Sequence, residues 1–163
     1  MKKLLLLFVI TISVITKVNA QGNFNIGVSL GLPVSAVPST VNATIELNYL
    51  WDSGENFKAG FATGYSNSFG KTTDNGIGYF DFPDIQFLPI AMATRFSVSD
   101  EFSLGADLGY SIGVNEHSVE GFYYVPRAHY SLSKSFDIVL AFRGVSREGG
   151  SFDLLTLGVE FGL

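Results

Sequence analysis

The chain has 163 residues, of which 47% are hydrophobic and only 15% charged, with 18 glycines, 15 phenylalanines and no cysteine. Without cysteine there is no disulfide framework, no thiolate metal site and no cysteine-linked lipid anchor. Lys and Arg number 10 against 15 Asp and Glu. This balance argues against a nucleic-acid-binding protein, which requires a basic surface.

The start of the chain has the pattern of a secretory signal peptide, predicted over residues 1–20. Residues 1–3 (Met-Lys-Lys) are a basic start, residues 4–15 are an apolar run, and residues 18–20 (Val-Asn-Ala) are a small-residue cleavage site. The apolar run is too short for a membrane-spanning helix. Cleavage removes three of the ten basic residues, so that seven remain against 15 acidic ones and the net charge becomes −8. Residues 21–163 are then one domain on length.

After residue 20, alternation of apolar with polar or small residues replaces any helical period. Each alternating segment has about ten residues, the length of a tilted transmembrane β-strand. The eight segments are residues 24–32, 43–51, 57–65, 88–96, 102–114, 122–132, 136–143 and 155–163. The pattern predicts an all-β fold, an eight-stranded antiparallel up-and-down transmembrane β-barrel.

The connections between these segments alternate in length. Short turns are predicted at 52–56, 97–101 and 133–135, and mostly longer loops at 33–40, 66–83, 115–121 and 146–151. Such asymmetry is typical of outer-membrane barrels, as are aromatic girdles at the strand ends. The predicted girdles are Trp51, Phe57, Phe96, Phe102, Phe136 and Phe161 at the short turns, and Tyr65, Tyr110 and Tyr124 toward the loops.

Alternation also fits a soluble barrel or sandwich. The residues on the face opposite the apolar one distinguish these folds from a membrane barrel. Nine glycines lie on this face: Gly27, Gly31, Gly60, Gly64, Gly105, Gly109, Gly113, Gly158 and Gly162. Glycine weakens a strand, and a soluble exterior favours charged residues instead. Small residues suit the narrow interior of an eight-stranded barrel. We therefore expect the apolar face to contact lipid.

Charged residues on the small-residue face balance one another. They are Lys58, Arg95, Arg127 and Arg143, and Glu46, Asp107, Asp137 and Glu160. Because unpaired buried ions are costly, we predict an ion network that fills the lumen. Its predicted members are Glu46, Lys58, Arg95, Asp107, Arg127, Arg143 and Glu160. The alternative use of these charges is the gate of a narrow passive channel.

Residues 87–96 (FLPIAMATRF) resemble a strand of the Bacteroidota-type (PorT-like) outer-membrane β-barrel family, with Pro89 and Phe96 at the family spacing. Residues 103–110 resemble its next strand, a-G-x-x-x-G-Y. The resemblance implies an eight-stranded OmpA-like barrel in the outer membrane and brings no catalytic residue. The last strand, Leu155–Leu163, resembles the signal read by the barrel-assembly machinery, although it ends on Leu where an aromatic residue is commoner.

Two prolines lie inside predicted strands. Pro89 and Pro126 lack the backbone donor that a strand ladder uses. Each marks either a β-bulge or a point where pairing stops near a rim.

His129 and Ser131 lie two positions apart on one strand face and comprise half of a nucleophilic triad. They resemble the H-x-S-N strand of lipid A deacylases of the PagL type, another eight-stranded barrel. The match ends there, since Arg143 stands where that family has a glutamate on the next strand and Asp137 and Glu148 are the nearest acids. We expect a structural interior histidine and no enzyme, with a lipid A-modifying hydrolase as the alternative.

The predicted loops are acidic and aromatic. The acids are Asp74, Asp81, Asp84, Glu116, Glu120, Glu148 and Asp153, opposed only by Lys71 and Arg147. They either bridge divalent cations to lipopolysaccharide or form a solvated charged surface. Phe69, Tyr79, Phe80 and Phe82 either anchor a partner or pack over the barrel mouth.

Cofactor motifs are absent: there is no phosphate-binding glycine loop, no HExxH and no Cys/His cluster. We expect no cofactor and no metal. The predicted function is that of a monomeric, non-enzymatic outer-membrane barrel with both termini in the periplasm. It contacts outer-membrane lipids and lipopolysaccharide and contributes to membrane integrity or to binding through its loops. A soluble secreted β-barrel is the remaining alternative.

Overall fold

The computed structural model describes residues 22–35, 39–74, 78–116 and 118–163. The predicted signal peptide 1–20 and His117 lie outside the described residues. Within these residues no helix is long and apolar enough to cross a membrane.

Eight antiparallel strands close into a barrel in the order β1-β10-β9-β8-β7-β6-β3-β2. Neighbours in this order are successive barrel strands, except that β1 pairs with β10, the last strand, to close the barrel. Between β3 and β6 the chain forms a small separate hairpin of β4 and β5. The strands are β1 (Gly22–Pro33), β2 (Ser39–Asp52), β3 (Phe57–Gly70), β4 (Thr72–Asp74), β5 (Tyr79–Asp81), β6 (Ile85–Ser97), β7 (Phe102–Gly113), β8 (Gly121–Ser133), β9 (Phe136–Arg147) and β10 (Gly150–Gly162). The predicted eight-stranded up-and-down barrel is confirmed.

The apolar face of each barrel strand points outward. Leu30 is 65% exposed and Met92 is 64% exposed, whereas Glu46 and Arg127 are buried at 6% and 4%. This is the reverse of a soluble barrel, whose apolar side chains fill the interior, and it matches a barrel surrounded by lipid. The transmembrane interpretation is therefore confirmed, and the soluble alternative is wrong.

The two ends of the barrel differ. The short-turn end carries the turns 53–56, 98–101 and 134–135, together with the start of β1 and the end of β10. The loop end carries the connections 34–38, 71–84, 114–120 and 148–149. Of the girdle residues predicted at the short turns, five are exposed: Trp51, Phe57, Phe96, Phe102 and Phe161.

Two of the predicted loops are shorter in the structure than the sequence pattern predicts. Strand β3 continues to Gly70, so 66–70 belongs to the wall and not to a loop. The predicted loop 146–151 is a two-residue turn, because Arg147 pairs with Gly150. Gly149 in this turn has φ of 88°, a backbone conformation that glycine adopts at no steric cost and that permits so tight a reversal.

The strand prolines interrupt pairing without shifting it. Between β3 and β6 the bridges stop at Thr63–Ile90 and resume at Ser66–Phe87 in the same register, and Pro89 lies in the gap. Between β8 and β9 they stop at Tyr124–Gly144 and resume at Arg127–Ala141, around Pro126. On its other side each proline pairs normally, with Ser111 and Ala106 respectively. The missing donor thus weakens one ladder only, and neither proline forms a bulge.

Glycine on the inner face is required by the neighbouring strand as well as by the width of the lumen. A Cβ on Gly109 would overlap the carbonyl oxygen of Ile90 on β6. Gly27 is different, since its Cβ would meet nothing closer than the Val159 carbonyl oxygen at 3.5 Å. Close approach of backbones is therefore the reason for glycine at some of these positions and not at others.

An apolar plug fills the interior at the loop end, where we had expected small and charged residues. Phe87 contacts Tyr123 and Phe152 edge-on, with ring centroids 6.4 and 6.2 Å apart. Val119 of the 114–120 connection is 2% exposed and packs into the same group, so its side chain enters the barrel. The buried members of the plug are Phe87, Ala91, Val119, Tyr123, Val125, Val139, Ala141, Val145, Phe152 and Leu154.

Candidate functional site

An ion cluster occupies the middle of the lumen, and Glu46 on β2 is its centre. Arg143 on β9 donates to both Glu46 oxygens, at 2.7 and 2.6 Å. Arg127 on β8 donates to the same two oxygens at 3.0 and 3.4 Å. One carboxylate therefore accepts from two guanidinium groups, a charge-assisted arrangement among the stronger hydrogen bonds in proteins.

Asp107 on β7 extends the cluster toward the short-turn end. It accepts from Arg127 and, at 2.8 Å, from Nη1 of Arg95 on β6. Nη2 of Arg95 lies 4.0 Å from Oε2 of Glu160 on β10. Arginine and acid alternate along the series Arg143, Glu46, Arg127, Asp107, Arg95 and Glu160, so three cations face three anions. The structure thus brings together six of the seven residues predicted for the lumen network.

Lys58 does not join the ion cluster. Its Nζ lies 3.9 Å from Asp52 Oδ1, and its side chain is 41% exposed. The position is one residue from the start of β3, where the lumen opens at the short-turn end. The prediction placed it in the network because alternation assigns a face but does not show how far a long side chain reaches toward water.

The cluster is tied to the apolar plug. Arg143 Nη1 donates to the Tyr123 hydroxyl at 3.0 Å, and its Nε donates to Thr156 Oγ1 at 3.3 Å. The cavity that Glu46 and Arg143 help to line has a volume of about 10 Å³, at the lower limit for a single water. Side chains therefore occupy the lumen from the middle to the loop end.

A vestibule of about 700 Å³ opens at the short-turn end. Its walls carry Ser97, Asp100, Ser131 and Lys134, and Arg95, His129, Asp137 and Glu160 line it where it meets the ion cluster. Glycine, serine and asparagine along these strand ends leave the space that larger side chains fill at the loop end.

His129 is buried at this vestibule and is 1% exposed. Its Nδ1 lies 3.7 Å from Asp137 Oδ2 and 4.0 Å from Glu160 Oε1. Its Nε2 has no hydrogen-bond partner among the described residues, so it does not hold the Ser131 hydroxyl as a general base would.

Of the two acids expected near His129, Asp137 lies beside it and Glu148 does not. Glu160 on β10 was not anticipated beside it, since β10 is two strands away from β8. Glu148 lies in the turn at the opposite end of the barrel. The sequence pattern relates a strand only to its immediate neighbour, whereas the curvature of a narrow barrel also brings the second strand within reach.

Several loop acids hold the loops in place. Asp84 accepts from the Gly70 amide at 3.0 Å and from Asn67 Nδ2 at 3.2 Å. Asp153 accepts from the Tyr124 hydroxyl at 3.0 Å. Asp81 and Glu120 accept from Thr72 and from the Gly113 amide in the same way.

Aromatic side chains are exposed beside these acids at the loop end. Tyr79 on β5 is 79% exposed, and Phe82 and Phe69 are 41% and 42% exposed. They do not belong to the plug that closes the barrel mouth. The three rings are thus exposed enough for a partner to contact them, and neither of the two predicted uses is decided by this exposure.

Comparison with known proteins shows a similarity of fold alone. No family model matches the chain, and no curated protein matches it. Among solved structures, the chain is similar to a de novo designed transmembrane β-barrel (TM-score 0.58, 9% identity, covering 86% of this chain and 95% of that one). It is also similar to the outer-membrane protein Ail of Yersinia pestis in a phospholipid nanodisc (0.58, 15%, 87% and 99%). A third similar structure is that of Neisserial surface protein A, with a TM-score of 0.50 and 12% identity, covering 87% of this chain and 97% of that one. The chain has the fold of small transmembrane β-barrels, and the Bacteroidota-type resemblance stays a prediction.

Proposed function

We propose that this protein is a monomeric, non-enzymatic barrel of the outer membrane that does not conduct and that acts through the surface at its loop end. The signal-peptide pattern of residues 1–20 and the lipid-facing wall support this location. The short-turn end then faces the periplasm. The strand Leu155–Leu163 carries the signal for the barrel-assembly machinery.

The observation that carries the proposal is the filled lumen. The apolar plug closes the loop end, and the ion cluster closes the middle with its charges paired. An ion entering from the vestibule would have to displace Arg127 or Arg143 from Glu46. This arrangement disfavours a passive channel.

A lipid A-modifying hydrolase is disfavoured by the position of His129 and Ser131. Both line the vestibule inside the barrel at the short-turn end, whereas lipid A lies outside the wall. The aligned base and nucleophile that hydrolysis needs are also missing, because Nε2 of His129 has no partner among the described residues.

The loop surface combines exposed rings with acidic side chains. Ail of Yersinia pestis has been solved with the heparin analogue sucrose octasulfate, which is strongly anionic. The acidic loop end of this chain favours instead a partner with cationic and apolar groups, or divalent cations that bridge to lipopolysaccharide. Tyr79 and Phe82 are the side chains best placed to anchor such a partner.

Three measurements test the proposal. Fractionation should place the protein in the outer membrane, where it should migrate compactly in SDS until boiled. Reconstituted wild-type protein should give no steady conductance in planar bilayers, and lipid A masses should be unchanged by deletion or expression. Steady large channels would overturn the closed lumen, and a lipid A mass shift abolished by Ser131→Ala would establish the hydrolase instead.

The loop surface is tested with a double variant, Tyr79→Ser with Phe82→Ser. Binding of whole cells to cationic and anionic surfaces, compared with a barrel-wall control such as Leu108→Val, should fall only for the cationic surface. Unchanged binding would remove the loop end as the site of function.

A further inference from the structure

Three potential metal ligands meet where the vestibule ends at the ion cluster, and each comes from a different strand. They are His129 on β8, Asp137 on β9 and Glu160 on β10, and one ligand atom from each lies within 4.8 Å of the other two. The spacing of these residues along the sequence does not indicate the group, because they lie on three different strands and the register of the barrel alone brings them together.

The imidazole of His129 has no adequate partner in the described protein. Its Nδ1 faces Asp137 and Glu160 at 3.7 and 4.0 Å, both too long for a hydrogen bond. Its Nε2 is buried and unpaired. A buried polar ring without hydrogen bonds is costly, and a ligand between Nδ1 and the two carboxylates would give Nδ1 a partner.

Glu160 is oriented so that one oxygen is left for such a ligand. Its Oε2 accepts from Asn48 Nδ2 at 2.8 Å and lies 4.0 Å from Arg95 Nη2. Its Oε1 is the atom that faces His129. The Glu160 oxygen that lies against Arg95 is thus not the one that faces the imidazole.

Asp137 supplies negative charge that the ion cluster does not balance. The three arginines of the cluster face Glu46, Asp107 and Glu160, and Asp137 has no salt bridge to an arginine among the described residues. Its side chain is 27% exposed toward the vestibule. A dication here would meet two carboxylates and one neutral imidazole.

We propose that His129, Asp137 and Glu160 bind a divalent transition-metal ion of the Zn²⁺ type at the inner end of the vestibule. One imidazole nitrogen and two carboxylate oxygens are donors that Zn²⁺ accepts, whereas Ca²⁺ and Mg²⁺ take oxygen ligands. Bond lengths of 2.0–2.2 Å place neighbouring ligands of a tetrahedral zinc about 3.4 Å apart. The two separations from His129 Nδ1, 3.7 and 4.0 Å, need to close by about 0.3 to 0.6 Å. The two carboxylate oxygens lie within 4.8 Å of each other and need to close by up to about 1.4 Å. The remaining coordination position faces the vestibule.

Zinc binding to untagged protein refolded in detergent micelles tests this site, measured by competition with a chromophoric zinc chelator. Wild type should bind one equivalent. Asp137→Asn, Glu160→Gln and His129→Gln should each weaken binding at least about tenfold, as is usual even for residues that only support a metal ligand. Two controls should bind as wild type does: His117→Gln, which removes the only other histidine, and Asp100→Asn, which removes another acid of the same vestibule.

Folding of each variant is checked by its gel mobility before and after boiling. If Glu160→Gln or His129→Gln fails to fold, Asp137→Asn decides, because Asp137 lies outside the paired ion cluster. X-ray absorption at the zinc edge should show one imidazole and otherwise oxygen donors. Absence of saturable binding, or equal weakening by His117→Gln or Asp100→Asn, would overturn the proposal.

Discussion

Removal of the charge on Glu46 tests whether the ion cluster is a central support of this barrel. Glu46→Gln keeps the shape of the side chain but leaves one acceptor oxygen and adds an amide donor. Arg127 and Arg143 both direct their guanidinium donors at this position. The amide group of glutamine would therefore face donors of like polarity.

The expected loss in the free energy of unfolding follows from the hydrogen-bond and ion-pair partners that each arginine retains in Glu46→Gln. Arg127 retains Asp107 as an anionic partner. Among the described residues, Arg143 retains only the hydroxyls of Tyr123, Thr156 and Ser29. Arg143 becomes an uncompensated buried cation, and breaking a buried pair in this way costs about 3–5 kcal/mol. Since a tenfold change in equilibrium constant is about 1.4 kcal/mol, the unfolding equilibrium should shift by at least about 100-fold.

The single tryptophan provides the assay. Trp51 is 37% exposed on the outer wall near the short-turn end, so its fluorescence reports whether the wall lies in lipid. Reversible urea unfolding in lipid vesicles, followed by this fluorescence and by gel mobility, measures the free energy directly. Glu55→Gln in the exposed turn 53–56 is the matched control and should change stability by less than about 0.5 kcal/mol.

A double-mutant cycle completes the test. Adding Arg143→Met to Glu46→Gln removes the stranded cation, so the double variant should lose less stability than the sum of the two single variants. A loss below about 1 kcal/mol for Glu46→Gln, or simple additivity in the cycle, would refute the argument that paired charge stabilises this lumen.

Two further predictions concern the wall. Gly109→Ala should lower the free energy of unfolding by about 1–3 kcal/mol, because its Cβ overlaps the neighbouring strand. Gly27→Ala, whose Cβ makes only ordinary contacts, should lower it much less. Equal losses for the two variants, measured by unfolding in vesicles, would contradict the close-approach argument. Leu108→Arg, on the lipid-facing side of β7 and 54% exposed, should cost about 2–4 kcal/mol at mid-membrane. Tyr79→Arg at the exposed loop end should be nearly neutral, and the reverse order would mean that the wall of β7 does not face lipid.

Alternation along the chain was sufficient to predict the barrel and the face that each strand turns inward. Residues 102–114 are an example, since a period of two places Leu104 and Leu108 outside and Asp107 inside whichever strands lie beside them. Strand ends were predicted less well. The pattern at 66–70 and at 146–151 weakens where Ser, Gly and charged residues are concentrated, and only pairing with the neighbouring strand shows that the wall continues there.

Which side chains meet inside the barrel depends on strand register and on the depth of each residue along the barrel axis. The alternation within a single strand encodes neither. Six of the predicted lumen residues form the ion cluster, because a buried charge needs an opposite charge beside it whatever the register. The apolar plug was missed, since Tyr123, Phe152 and Val119 come from β8, β10 and a loop and no single segment shows them as a group.

The amino-acid sequence by itself therefore determined the barrel, its inside-out polarity and the balance of charge in the lumen. These follow from a strand period of two and from the cost of burying an unpaired ion. Tertiary structure alone decided which arginine pairs with which acid, that Lys58 stays outside the ion cluster, and that His129 meets Glu160 as well as Asp137. The physical reason is that closure of a narrow barrel brings together side chains from strands that are not neighbours in the sheet, at depths set by the stagger of the ladder.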